Sequence, residues 1–99
     1  ADHKIIGYIF FSIVADELEL NDIGVDPQYQ KQGVASALLE QMLLIGKKAG
    51  AQKALLEVRT TNRAAIALYK KFGFSTLYIR KKYYQYDLGD AFIMSATLV

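Results

Sequence analysis

Ile23-Gly24-Val25-Asp26-Pro27-Gln28-Tyr29-Gln30-Lys31-Gln32-Gly33-Val34-Ala35-Ser36 runs from the end of an apolar strand, through a polar loop, into the start of a helix. Asp26-Pro27 closes the strand, because proline removes a backbone donor and restricts the residue before it. Gly33 ends the loop. Apolar residues then recur at Val34, Leu38, Met42, Ile45 and Ala49, with Leu39 and Leu43 beside them. That spacing is the stripe of an amphipathic helix over 34–49, and Gly50 is its stop. Exposed N–H groups at a helix start, with the positive end of its dipole, suit phosphate oxygens. Gly33 has no Cβ to keep an anion at a distance, and Ala35 leaves the first turn uncrowded. Many strand-loop-helix junctions contain a glycine, so these features alone make an anion site one reading among several.

Outward from this stretch the chain alternates strands and helices. Residues 5–14 are dominated by aromatic and β-branched side chains and read as a strand. After the polar break Ala15-Asp16-Glu17, residues 18–25 read as a returning strand with Leu18, Leu20 and Ile23 turned inward. Alternation fails at Asn21-Asp22, which predicts a bulge there. Residues 53–58 form a short buried strand, and Thr61 or Asn62 caps a helix over 64–72. That helix carries Ala65, Leu68, Tyr69 and Phe72 on one face and ends at Gly73. Strands over 74–79 and 91–98 flank a basic, then tyrosine-rich segment, 80–90. The order β-β-α-β-α-β-β predicts one α/β (α+β) domain over 1–99, a mixed sheet with helices packed on it. The first and last strands lack an evident partner, which predicts an open sheet edge and, through it, a homodimer contact.

Composition narrows the chemistry. The 99 residues are 53% hydrophobic and carry a net charge of +2, too near neutral for a nucleic-acid binder. The pairs Lys47-Lys48 and Lys70-Lys71 and the run Arg80-Lys81-Lys82 read as solvated helix ends, or as a weakly positive rim for an anionic ligand. With no cysteine, a thiol nucleophile, a disulfide and a thiolate metal site are all excluded. The one histidine, His3, reads as a surface residue and no metal is expected. No apolar run reaches membrane-spanning length and no signal-peptide pattern opens the chain, so no membrane is expected and the cytoplasm is the default.

Gln30-Lys31-Gln32-Gly33-Val34-Ala35 resembles the Gln/Arg-x-x-Gly-x-Gly/Ala signature of the GCN5-related N-acetyltransferases, the GNAT superfamily. The likeness continues in Leu56-Glu57-Val58-Arg59-Thr60-Thr61-Asn62, in Ala65-Ile66-Ala67-Leu68-Tyr69 and in Phe72-Gly73-Phe74. These are similar to the bacterial branch that acetylates the N-terminal alanine of a small-subunit ribosomal protein. Arg80-Lys81-Lys82-Tyr83-Tyr84, followed by Asp90-Ala91-Phe92-Ile93-Met94, resembles a signature shared by protein N-terminal acetyltransferases. The likeness runs from about residue 5 to the end of the chain.

The resemblance implies a mostly antiparallel GNAT-like sheet and acetyl-CoA as cofactor, with coenzyme A as product. It implies that Ile23, Gly24, Val25, Gln30, Lys31, Gln32, Gly33, Val34, Ala35 and Ser36 hold the pyrophosphate and pantetheine, with Asn62 and Tyr69 further along the cofactor. Glu57 matches the general base, Tyr69 the general acid that protonates the leaving thiolate, and Val25 N–H the oxyanion donor. Tyr83 and Tyr84 would hold the first residues of an acceptor peptide, a protein N-terminus such as that of a ribosomal protein. The strands 18–25 and 53–58 are expected to splay. An attacking amine must be neutral, yet an α-amino group has a pKa of about 8, so a base is needed. A carboxylate in an apolar strand suits that role through a raised pKa. Without a cysteine, acyl transfer goes directly or through another nucleophile; the resemblance implies a direct transfer in a ternary complex.

Read without the resemblance, Glu57 is a paired structural carboxylate, Tyr69 a core residue, Asn62 an N-cap, and Tyr83, Tyr84 and Tyr86 strand or loop aromatics. In the family a strand and two helices precede the strand that here begins near residue 5, and they wall the acceptor site. They are expected to be missing upstream, carried elsewhere, or supplied by a partner chain. Gly89-Asp90 stands where the family carries Glu-Asp. The same cofactor motifs would serve acetylation of a small amine, or a catalytically incomplete acetyl-CoA-binding or assembly module.

Overall fold

The computed structural model describes residues 4–81 and 89–98. Tyr83, Tyr84 and Tyr86, like His3, lie outside the described residues. Strands β1 (Gly7–Val14) and β2 (Glu17–Val25) form a hairpin about the turn Ala15-Asp16. A short 3-10 helix, Pro27–Tyr29, and the loop 30–33 lead into helix α1 (Val34–Lys48). Strand β3 (Lys53–Arg59), helix α2 (Arg63–Lys71), and strands β4 (Ser75–Arg80) and β5 (Ala91–Thr97) follow.

Among the described residues five strands make one sheet in the order β1-β2-β3-β5-β4. Every neighbouring pair is antiparallel except β2 and β3. The last strand, for which the sequence shows no evident partner, lies inside the sheet: β5 pairs with β3 on one side and β4 on the other. Burial explains the placement. β5 buries Ala91, Ile93, Met94 and Ala96, the pattern of a strand inside a sheet, whereas β4 is exposed at every position.

The bulge foreseen at Asn21-Asp22 is present. Phe10 pairs with Asp22 and Phe11 with Leu20, leaving Asn21 as the extra residue on β2. Both Asn21 and Asp22 are therefore exposed, while Leu18 is fully buried and Ile23 is half-buried on resumption of the inward pattern.

Leu18, Leu39, Met42 and Met94 are the largest fully buried side chains. Each such burial is worth about 1.5–3 kcal/mol. α1 meets the sheet through Leu39, Met42 and Gly46: the predicted stripe holds as far as Met42, but its last two members, Ile45 and Ala49, are exposed. Gly46 is the reason. A Cβ there would stand 2.7 Å from Leu18 Cδ2, so the bare helix backbone lies against Leu18 and turns Ile45 outward. α2 buries Tyr69 and packs Ala65, Ile66, Leu68 and Phe72 against the same core. The lysine pairs Lys47-Lys48 and Lys70-Lys71 occupy the last turns of the two helices, where cations complement the dipole.

Candidate active site

β2 and β3 start as parallel partners and then part. Their pairing covers Glu17 with Lys53, Leu18 with Ala54 and Glu19 with Leu55, and stops there, although β2 runs on to Val25 and β3 to Arg59. A sheet that stops pairing leaves backbone N–H and C=O groups needing partners. The gap opens into a cleft of about 520 Å³, walled by Leu20 to Val25 on one side and by Glu57, Val58 and Arg59 on the other. Its ends are formed by the start of α1 and by Asn62, Ala65, Leu68 and Tyr69 of α2 and its cap.

One end of the cleft suits an anion. Lys31 has φ 63° and Gly33 φ 84°, two left-handed residues that curl the loop back before α1. Gly33 is the N-cap of α1 and gives no side-chain cap, so the N–H groups of the first turn have no side-chain acceptor. Nothing lies within 4 Å of where a Cβ on Gly33 would point. The loop is tied down from behind: Gln30 Nε2 donates to the Val25 carbonyl at 3.2 Å, and Gln28 N donates to Asp26 Oδ1 at 2.9 Å. Open donors, a positive dipole end and Lys31 beside them fit the phosphates of a nucleotide-bearing cofactor.

The other end carries acid-base groups. Asp26 N donates to Ile6 O across to β1 at 2.7 Å. Successive N–H groups of an extended strand point to opposite edges, so Val25 N–H is turned toward the cleft. Tyr69 has its ring buried, 5% exposed, with its edge on Phe74 at a centroid distance of 6.0 Å. Its hydroxyl has no hydrogen-bond partner among the described residues, yet no buried side-chain oxygen among them lacks a partner, so the hydroxyl opens on the cleft. Burial, and secondarily the charge of Asp22, push the Tyr69 phenol above its ordinary value. Asn62 Oδ1 caps α2 by accepting from Ala65 N at 3.2 Å, which leaves its amide nitrogen for the cleft.

Residues 1–74 match the acetyltransferase (GNAT) family. The chain belongs to that family. It is 44% identical over 94 residues to the ribosomal protein bS18-alanine N-acetyltransferase of Escherichia coli strain K12, covering 93% of this chain and 64% of that protein. The crystal structure of the ribosomal-protein-S18-alanine N-acetyltransferase from Escherichia coli superposes with a TM-score of 0.91 at 40% identity, over 99% of this chain and 64% of that one. That of Ard1 from Thermoplasma volcanium gives 0.89 at 32% identity, over 95% and 64%. The chain thus spans 64% of the length of these relatives, and its mixed sheet with two helices is the GNAT architecture.

Within this GNAT chain the cleft gathers Ile23, Gly24, Val25, Gln30, Lys31, Gly33, Val34, Ala35, Ser36, Glu57, Asn62 and Tyr69 on one surface. Gln32 is not among its walls; its Nε2 turns back to the Gln28 carbonyl at 3.1 Å. Tyr83 and Tyr84 lie outside the described residues. The apolar surroundings expected for Glu57 are not found. On β3 the residues Ala54, Leu56 and Val58 face the core, so Glu57 between them is exposed. Neither helix-end lysine pair reaches the cleft; its cationic residues are Lys31 and Arg59. Sequence reasoning passed over Asp22 and Arg59, which share the cleft wall. The irregularity at Asn21-Asp22 was the one signal for the former.

Proposed function

We propose that this chain binds acetyl-CoA in the cleft between β2 and β3 and transfers the acetyl group to the α-amine of a protein N-terminus, an alanine-initiated ribosomal-protein peptide being the acceptor of choice. The observation that carries this reading is the meeting, in one cleft, of an uncapped helix start with a carboxylate, a protonated phenol and a free-edge N–H. The kinship to the alanine N-acetyltransferases supports the acceptor.

Gly33, Val34, Ala35 and Ser36 offer their N–H groups to the pyrophosphate, with Lys31 adding charge. The freed edges of β2 and β3 receive the amide groups of the pantetheine arm. Bound acetyl-CoA supplies a thioester carbonyl and a thiol leaving group. Glu57 accepts one proton from the incoming ammonium, directly or through water, and frees the lone pair that attacks the carbonyl carbon. Val25 N–H donates to the oxygen on which negative charge develops. Tyr69 would give its phenolic proton to the departing sulfur as the C–S bond breaks and recover one from solvent; a second proton passes from the nitrogen to solvent, Glu57 releases the one it took, and the third stays on the amide nitrogen. The net change is ammonium plus thioester giving amide, thiol and one proton.

An alanine-initiated peptide incubated with the chain and acetyl-CoA is expected to gain one acetyl group at its α-amine, read by mass spectrometry. Glu57→Gln is expected to lower kcat by about 10²-fold or more. Turnover unchanged in that variant removes Glu57 from the base role.

A further inference from the structure

Asp22 was not singled out by its sequence context, yet an unusual arrangement holds it in place. Tyr8 on β1 pairs directly with Gly24 on β2. A Cβ on Gly24 would lie 2.4 Å from Tyr8 Cε1 and 2.7 Å from its hydroxyl, so only a glycine lets the phenol ring lie across the β2 backbone. The ring also packs, tilted, against Phe10 at a centroid distance of 5.3 Å. Its hydroxyl then donates to Asp22 Oδ2 at 3.1 Å. The bulge at Asn21 is what turns Asp22 to the exposed side within reach of that hydroxyl. Tyr8, Gly24 and the bulge together fix one carboxylate on the cleft wall.

One phenol satisfies one of the several acceptor sites of a carboxylate. Among the described residues no lysine or arginine makes an ion pair with Asp22. The ionisable groups that share the cleft with it are Glu57 and Arg59 from β3, Tyr69 from α2, Tyr29 from the 3-10 helix and Lys31 from the loop. Its field reaches across the cleft, since it helps hold the Tyr69 proton. It also holds the Tyr8 proton, chiefly through their hydrogen bond.

We propose that Asp22, positioned by Tyr8 over Gly24, is the residue that binds the cationic α-ammonium of the acceptor before Glu57 deprotonates it. This rests on the acetyl-transfer reading above and assigns its acceptor specificity: the amine is recognised as a cation, and a neutral terminus is not held. Glu57 then acts on an amine already placed. Tyr8 is a positioning residue acting through Asp22.

The test is calorimetric titration of the full chain, saturated with coenzyme A, with two peptides of one sequence. One begins with alanine and its free ammonium; the other begins with a propionyl group, lacking only that nitrogen. Wild type is expected to favour the ammonium peptide by about tenfold or more, the scale of a hydrogen bond to a charged group. Asp22→Asn, nearly isosteric and on an exposed side chain, is expected to bring the ratio close to one while leaving coenzyme A affinity within about twofold. Asp22→Glu restores part of the preference, and Tyr8→Phe loses part of it. Undiminished preference in Asp22→Asn, or none in wild type, overturns the proposal. A chain that takes no coenzyme A counts against the acetyl-transfer reading instead, and the same peptide pair titrated into the free chain still decides the role of Asp22.

Discussion

Tyr69 combines a ring fixed on Phe74 with a hydroxyl left open to the cleft. Its phenol is raised above the ordinary 10.0, by burial first and Asp22 second, so it carries its proton throughout the range where the amine reacts. Tyr69→Phe is expected to lower kcat by about 10-fold or more with little change in KM for the acceptor, because the proton is needed only as the thiol departs. The same shift has a stability consequence. The folded state holds this proton more tightly than the unfolded chain does, so the contribution is whole below the unfolded tyrosine value. It is lost as pH rises through the folded one. Thermal melts from about pH 8 to about pH 11 are expected to fall more steeply for wild type than for Tyr69→Phe. Some roles at this scale are plain in the sequence. Asn62 caps α2 as its side-chain chemistry requires. The exposure of Glu57 is less plain, because Ala54-Leu55-Leu56-Glu57-Val58 reads as one apolar run and hides the period-two alternation that turns Glu57 outward. Asp22 is illegible without its partner, since Tyr8 reaches it only after β1 and β2 have paired.

The contact between α1 and the sheet hinges on Gly46. A helix-interior glycine costs about 1 kcal/mol relative to alanine. It is tolerated here because the backbone must approach Leu18, which is fully buried. Gly46→Leu is expected to destabilise the fold by about 1–3 kcal/mol through overpacking, seen as a lower urea midpoint. Adding Leu18→Ala should recover part of that loss, since the two side chains compete for one space; strict additivity of the two losses contradicts the contact. Helix and strand locations follow from periodicity, turn residues and caps, and the observed boundaries of α1, β3 and α2 agree with that reading to within a residue or so. The face of the last turns of α1 does not. Counting apolar side chains favours Ile45 and Ala49 over a glycine, and only the close approach to Leu18 reverses the choice.

Across the whole molecule, strand order decides where the cleft lies. The loop before α1 and the α2 tyrosine meet because β2 and β3 are neighbours that separate midway. No local pattern reveals this: a sheet's order is set by long-range pairing, and the position of β5 between β3 and β4 had to be seen. The two edges, β1 and β4, present Phe10, Val14, Leu77 and Tyr78 to solvent. Among the described residues no helix is long and apolar enough to cross a membrane. The loop motif, by contrast, is legible in the sequence through its signature, and Gly33 there takes a left-handed backbone that favours glycine.

The central claim is that this loop holds the pyrophosphate of acetyl-CoA. Its most direct test is calorimetric titration of the chain with acetyl-CoA, wild type beside Gly33→Glu. That substitution introduces negative charge where the phosphates belong and strains a backbone held at φ 84°. Saturable one-to-one binding by wild type, absent in a variant that still melts cooperatively, is the predicted result. Equal binding by both, or none by the wild-type chain, would contradict it.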